Sequence, residues 1–398
     1  MKVLVVLGTR PEAIKLAPVI NALKESGFEL KVVATGQHDE LLKHVLEFFR
    51  IDADFLNCMN PDLIENTACM AESLKRVLED YKPHCVIVQG DTLSCYMGAY
   101  TAFLSKIPVL HVEAGLRSHD KFSPFPEEMF RKLTDELSDV LFAPTQRAVE
   151  NLIREGFPKD RIVLTGNTVV DAVQTALKLL DRDKIKGQLQ EQISRDMDTF
   201  DGLIFITSHR RENIGEPMKN IRDAVLELAQ RFPHLLFLWS LHKNPQVRKS
   251  ILEGFTQLPN NVVFLEPLTY PQTLYLLEKS KLIITDSGGI QEEACTLRKP
   301  VLITRTVSER LEVVDVGLGK VVGTEKEKIV EEFEKTYSNL EYYEKLSFDN
   351  PYGDGKASER IKNFLLCEEV KNFILNYKKD YKGDLYECAK VNSLSDTY

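Results

Sequence analysis

Much of what this 398-residue sequence excludes follows from what it lacks. No apolar run approaches the roughly 20 residues that a membrane span needs. The chain enters an apolar run, VLVVL, directly after Met1-Lys2, with no basic n-region, long h-region or small-residue cleavage site. The cytoplasm is the expected location. The seven cysteines, at 58, 69, 85, 95, 295, 367 and 388, form no CxxC pair, and an odd number fits reduced thiols better than a disulfide framework. Cys85 and Cys295 fall in apolar patterns and read as buried filler. The eight histidines show neither HxxxH nor HExxH spacing, so no metal site is expected. No G-x-G-x-x-G fingerprint follows a strand, the GLGKVVG of 317–323 having the wrong spacing, and GxxxxGK[ST] is absent. Dinucleotide and P-loop chemistry therefore drop out. A net charge of −9 without a long basic patch argues against a general nucleic-acid binder.

What the sequence does have is a repeating order. Apolar, β-branched runs recur at 3–7, 30–35, 85–89, 108–113, 140–144 and 162–166, separated by amphipathic stretches. A second series follows at 203–208, 235–241, 262–267, 282–287 and 300–304. Strands alternating with helices predict parallel sheets covered on both faces. The length fits two such domains. The expected fold is α/β, two doubly wound Rossmann-like domains facing a cleft. The expected boundaries are 1–175 and 176–360, a helix returning to the first domain over 361–380, and a mobile tail over 381–398. The charged stretch 181–201 has no strand pattern and reads as the junction between domains.

Three polar clusters each follow a strand and precede a helix: GTRPEAIK (8–15), TSHRRENIG (207–215) and DSGGIQEEA (286–294). Such turns hold phosphates, because first-turn N–H groups are unpaired and the helix dipole is positive there. Three of them, two bearing arginine, suggest a diphosphate-containing ligand held between the halves. Gly288 and Gly289 let backbone approach a ligand, Ser287 can cap the helix or touch a phosphate, and Glu293 lies within reach of a ribose. His209 and its neighbouring arginines end a strand, where they can stabilise a departing phosphate. His242 is a weaker second candidate. Asp91 and Glu113 end neighbouring strands, and Glu127 and Glu128 follow SPFP before a helix. Carboxylates brought close can have their pKa values pushed apart, giving one acid and one base.

Taken in order, GTRPEAIKLAP, TGQH, QGDT, HVEAGLRS, PFPEE, TGNTVVDA, HRREN, DSGGIQEEA and NPYGDGKASERI resemble the non-hydrolysing UDP-N-acetylglucosamine 2-epimerases over about nine tenths of the chain. The resemblance implies GT-B architecture. It implies catalytic roles for Asp91, Glu113, Glu127 and His209, and substrate contacts from Arg10, Lys15, Arg131, Ser287, Gly288, Gly289 and Glu293. It implies a UDP-sugar partner, a homodimer, no cofactor and no metal. The expected reaction interconverts UDP-GlcNAc and UDP-ManNAc by eliminating and re-adding UDP. A hydrolysing relative that releases ManNAc, or an epimerase of a modified UDP-hexosamine, stays open. Asp39 stands where members often carry an arginine of an activator subsite, and Cys69 lies near a second such position.

Overall fold

The computed structural model describes residues 1–36, 40–58, 60, 62–253, 258–306 and 310–377. Asp39 and the tail of 381–398 lie outside the described residues. The chain divides into one unit of Met1–Thr175 with Tyr352–Tyr398, and a second of Ala176–Pro351.

The first unit is built on β1 (Lys2–Leu7), β2 (Glu29–Ala34), β3 (Asp54–Phe55), β4 (Cys85–Gln89), β5 (Val109–Val112), β6 (Val140–Ala143) and β7 (Ile162–Leu164). All pairings are parallel, in the order β3-β2-β1-β4-β5-β6-β7. Val3 to Leu7 and Cys85 to Val88 are wholly buried, as strands covered on both faces must be. Towards the end of the chain, helix Ala357–Leu366 packs on helix Arg10–Glu25, with Phe364 edge-on to Phe142. Asp171 accepts from Ser358 N at 2.8 Å and fixes that helix start. Cys367 ends this helix and opens the next, Glu368–Asn376.

The second unit repeats the design with β8 (Gly202–Thr207), β9 (Leu235–Ser240), β10 (Val262–Leu265), β11 (Ser280–Thr285), β12 (Val301–Ile303) and β13 (Gly319–Val321). Its order is β10-β9-β8-β11-β12-β13, again parallel. In each sheet the chain winds outward from one strand and then restarts on its other side. The switch points lie between β1 and β4 and between β8 and β11. Ligands of doubly wound sheets bind beyond the strand ends at such points. All three polar clusters fall there: 8–15 after β1, 207–215 after β8 and 286–294 after β11.

Two expectations need correction. The stretch 181–201 is not a junction, because it carries helix Arg182–Ile193, whose Ile185, Leu189 and Ile193 are buried in the second unit. Its charges occupy the solvent side, which hid an apolar line at spacing 4. The division falls earlier, between Thr175 and Ala176 within helix Thr168–Leu179. The cysteines are also not all reduced, since Cys58 and Cys69 form a disulfide with a Cα separation of 5.7 Å. Cys58 follows β3, its N–H bonded to Thr35 O, and helix Leu63–Tyr81 brings Cys69 back beside it. Neither an odd count nor a missing CxxC bears on partners joined by tertiary folding. Cys85 and Cys295 are buried thiols, as expected.

Gly8 closes the turn after β1 against the Ser94 and Thr35 hydroxyls, which lie 2.6 Å apart. A Cβ at Gly8 would stand 1.8 Å from Ser94 Oγ and 2.8 Å from Thr35 Oγ1. Gly8→Ala should therefore destabilise the protein by about 1–3 kcal/mol, the usual cost of overpacking. Adding Ser94→Ala should restore part of that loss in denaturant unfolding. Equal stability of the native chain and the single variant would disprove the close fit.

Candidate active site

In the first unit, Glu12 organises the switch point. Thr9 caps helix Arg10–Glu25, and Glu12 reaches back in a capping box, Oε2 accepting from Gly8 N at 3.0 Å and Thr9 N at 2.7 Å. Glu12 Oε1 accepts from Thr92 Oγ1 at 2.7 Å. One carboxylate thus joins the turn that bears Arg10 to the turn that bears Asp91. Burial pushes the Glu12 carboxyl up to about 7, against the pull of the Thr92, Thr9 and Gly8 hydrogen bonds.

Around this brace stand the expected acid–base residues. Lys15 Nζ lies 2.6 Å from Glu113 Oε1, both side chains almost fully buried, and Gln89 donates to Glu113 Oε2. Glu113 adopts φ 73°, in the left-handed region that non-glycine residues avoid. Such strain costs on the order of 1–3 kcal/mol and gathers at functional sites. Arg131 bridges Asp91 and Glu128, its NH1 lying 3.1 Å from Glu128 Oε2. Glu128 also accepts from Ser118 N at 3.0 Å and His119 N at 3.2 Å, so it orders a loop. Glu127, beside it at the start of helix Glu127–Leu137, has a buried Oε2 with no hydrogen-bond partner among the described residues. Arg10 is the first residue of its helix.

In the second unit the organiser is Asp286, which is fully buried. Its carboxylate accepts from His209 N at 3.0 Å, Arg210 N at 2.9 Å, Ser208 Oγ at 3.0 Å and Asn213 Nδ2 at 2.9 Å. His209 Nδ1 lies 3.4 Å from Asp286 Oδ1, and the His209 ring stacks on His242 with centroids 5.3 Å apart. His242 is thus a neighbour of His209. Ser287 is the N-cap of helix Gly288–Thr296, but its side chain does not close the cap. A Cβ at Gly288 would come 2.9 Å from Arg310 Nε, so that glycine makes room for Arg310, which Glu292 holds at 3.1 Å. No described residue comes within 4 Å of a Cβ built at Gly289. Glu293 is buried one turn further along.

Sequence reasoning missed Glu12, Gln89, Asp286, Glu292 and Arg310 as parts of these arrangements. The capping box at Thr9 was legible for Glu12, and Asp286 ends a strand as Asp91 nearly does. Pairing across the fold announces neither Gln89 nor Arg310.

Glu12 generates a pH prediction. Its folded pKa, about 7, lies above the ordinary carboxyl value of 4.5, so the folded state holds the proton more tightly. Stability from this group is present at low pH and is lost as pH rises from about 4.5 through 7. Glu12→Gln keeps the backbone acceptor and offers an amide to Thr92. Relative to the native chain it should gain on the order of 3 kcal/mol between pH 4.5 and pH 8 in denaturant unfolding. A constant difference across that range would show that Glu12 is ionised throughout.

Comparison with known proteins accords with this arrangement. The family model of UDP-N-acetylglucosamine 2-epimerase matches residues 21–366. The UDP-N-acetylglucosamine 2-epimerase of Neisseria meningitidis serogroup A is 47% identical over 371 residues, 92% of this chain and 99% of that protein. The crystal structure of the Neisseria meningitidis enzyme bound to UDP-GlcNAc superposes with a TM-score of 0.87 at 47% identity, covering 92% of this chain and 100% of that one. The Methanocaldococcus jannaschii enzyme in complex with UDP-GlcNAc and UDP gives a TM-score of 0.81 at 35% identity, with 92% and 99% covered. The chain belongs to the UDP-N-acetylglucosamine 2-epimerase family.

Proposed function

We propose that the protein interconverts UDP-GlcNAc and UDP-ManNAc without releasing the sugar to water. The observation that carries this reading is the pair of carboxylates after adjacent strands, each set on a fixed cation: Glu113 on Lys15 and Asp91 on Arg131. The C2 proton of a hexosamine has no neighbouring carbonyl, so direct removal is very unfavourable. Elimination avoids that difficulty. A carboxylate takes the C2 proton, the C2–H pair forms the C1=C2 bond, and the C1–O bond breaks with its electrons leaving on UDP. The product is bound 2-acetamidoglucal. UDP then re-adds at C1 while a proton returns to the other face of C2. Asp91, Glu113 and Glu127 form the acid–base set in this reading, and the buried Glu127 oxygen, which no described residue hydrogen-bonds, suits a proton carrier.

The departing diphosphate needs donors, which the second unit supplies in His209, Arg210 and the start of helix Gly288–Thr296 with Ser287 and Gly289. The Asp286 carboxylate, 3.4 Å from His209 Nδ1, favours a ring orientation that leaves Nε2 available as a donor. Glu293 takes the ribose, and Arg10, Lys15 and Arg131 contact the substrate. A homodimer belongs to the same reading, since helix Leu93–Leu104 exposes Tyr100, Phe103 and Leu104.

NMR of the protein with UDP-GlcNAc in D2O tests the reaction. Deuterium should appear at C2, UDP-ManNAc should accumulate to an equilibrium, and UDP should stay covalently bound in the bulk. Steady release of ManNAc and UDP would establish hydrolysis instead. His209→Gln should lower turnover about 10²–10³-fold, the usual loss for one well-placed electrostatic donor, with the melting temperature held. Turnover within a few-fold of native would remove His209 from the mechanism.

A further inference from the structure

His111 lies on β5 two residues before Glu113, and none of its surface is exposed. Its Nδ1 stands 2.6 Å from Asp135 Oδ1, and its Nε2 stands 2.8 Å from the Gly90 carbonyl oxygen. A neutral imidazole has one N–H and one lone pair. It would satisfy one of these oxygens and turn a lone pair on the other. The carbonyl can only accept. Asp135 would have to be protonated to act as a donor, yet its surroundings oppose that. Its Oδ2 takes Arg117 NH2 at 2.7 Å and Gly115 N at 3.2 Å. Burial works to raise this carboxyl, yet it stays below the ordinary carboxylate range, with the Arg117 guanidinium among the causes.

We infer that His111 is a buried imidazolium that fixes the Gly90–Asp91 peptide, and so acts as a positioning residue for the Asp91 carboxylate. Asp135 is the direct counter-ion of His111, while Glu155 takes Arg117 Nε at 2.9 Å and the partly exposed Lys132 Nζ at 3.3 Å. A hydrogen-bonded counter-ion lets a cation persist away from water. Cys95 also faces Gly90 O, with Sγ at 3.3 Å, and burial holds its thiol well above the ordinary value, so it is a neutral donor. Gly90 itself has φ 80°, and its N–H donates to Val112 O at 3.0 Å. The N–H fixes the Gln89–Gly90 peptide on β5 and the C=O, held by His111, fixes the next peptide, which leads into Asp91. Asp91 then meets Arg131, which lies one turn before Asp135 on the same helix. A neutral His111 would release one end of this frame.

The protonation claim is tested on the native full-length protein labelled with 15N-histidine, its His111 signals assigned by their loss in His111→Gln. Both ring nitrogens should show imidazolium shifts in the folded protein at neutral pH, with slowly exchanging N–H protons. A single-proton pattern would overturn the inference. This arm does not depend on what the protein catalyses. The positioning claim rests on the epimerase reading. In His111→Gln, kcat should fall tenfold or more while KM for UDP-GlcNAc stays within about twofold, because misplacement of a reacting group acts on the chemical step. A folded variant with unchanged kcat would overturn it. Should His111→Gln fail to fold, Asp135→Asn serves, with loss of the imidazolium signal and the same kcat split expected. If the native protein leaves UDP-GlcNAc unchanged, the functional reading fails while the NMR result still decides the charge of His111.

Discussion

Two buried carboxylates, Glu12 and Asp286, hold together the turns that leave the strand ends at the two switch points. A turn leading into a helix presents amide groups without intrahelical partners. At a switch point two such turns diverge from neighbouring strands, and nothing in the sheet ladder joins them. A side-chain carboxylate has acceptor capacity enough to serve both. Glu12 takes amides of its own turn and the Thr92 hydroxyl of the other, while Asp286 reaches from after β11 to the amides after β8. Burying these groups is unfavourable in itself, and the hydrogen bonds offset that. The turns are thereby held from behind, and their outer side is left for a ligand.

A second layer of order comes from helix Glu127–Leu137, whose buried residues are Glu128, Arg131, Thr134 and Asp135. Phe130 stacks on Tyr96 and Leu137 packs against the apolar core, but the fully buried face is polar. Three of its groups reach other segments: Glu128 the amides of Ser118 and His119, Arg131 the Asp91 turn, and Asp135 the β5 histidine and Gly115. Through these contacts the segments after β4 and β5 share one support.

The main strands were legible because parallel strands buried on both faces read as unbroken apolar runs. The edge strands β3 and β13, two and three residues long, carry no such run. Chemistry at strand ends was also legible, since Asp91, Glu113, His209 and the 286–294 turn stand where apolar patterns stop. The bracing residues were hidden because their partners are far off in sequence, 80 residues between Thr92 and Glu12 and 24 between His111 and Asp135. His111 in particular sits in the middle of PVLHVE and counts there as part of a strand. The disulfide was hidden because only the return of helix Leu63–Tyr81 brings Cys69 beside Cys58, and the helix at 182–193 because its charges outnumber its apolar line.

The polar seat of helix Glu127–Leu137 has a consequence for how this protein can change. Apolar packing is graded, so a helix resting on aliphatic side chains can slide or tilt slightly when a neighbour grows. Ion pairs and hydrogen bonds tolerate little change in length or angle. A helix whose fully buried side chains are held by them is closely limited in depth and rotation. The dimensions of the space beside it are then fixed by bond geometry, as in a jig. A bulkier ligand could not be admitted by gradual loosening, and a new specificity would have to arise by exchanging whole residues in the frame.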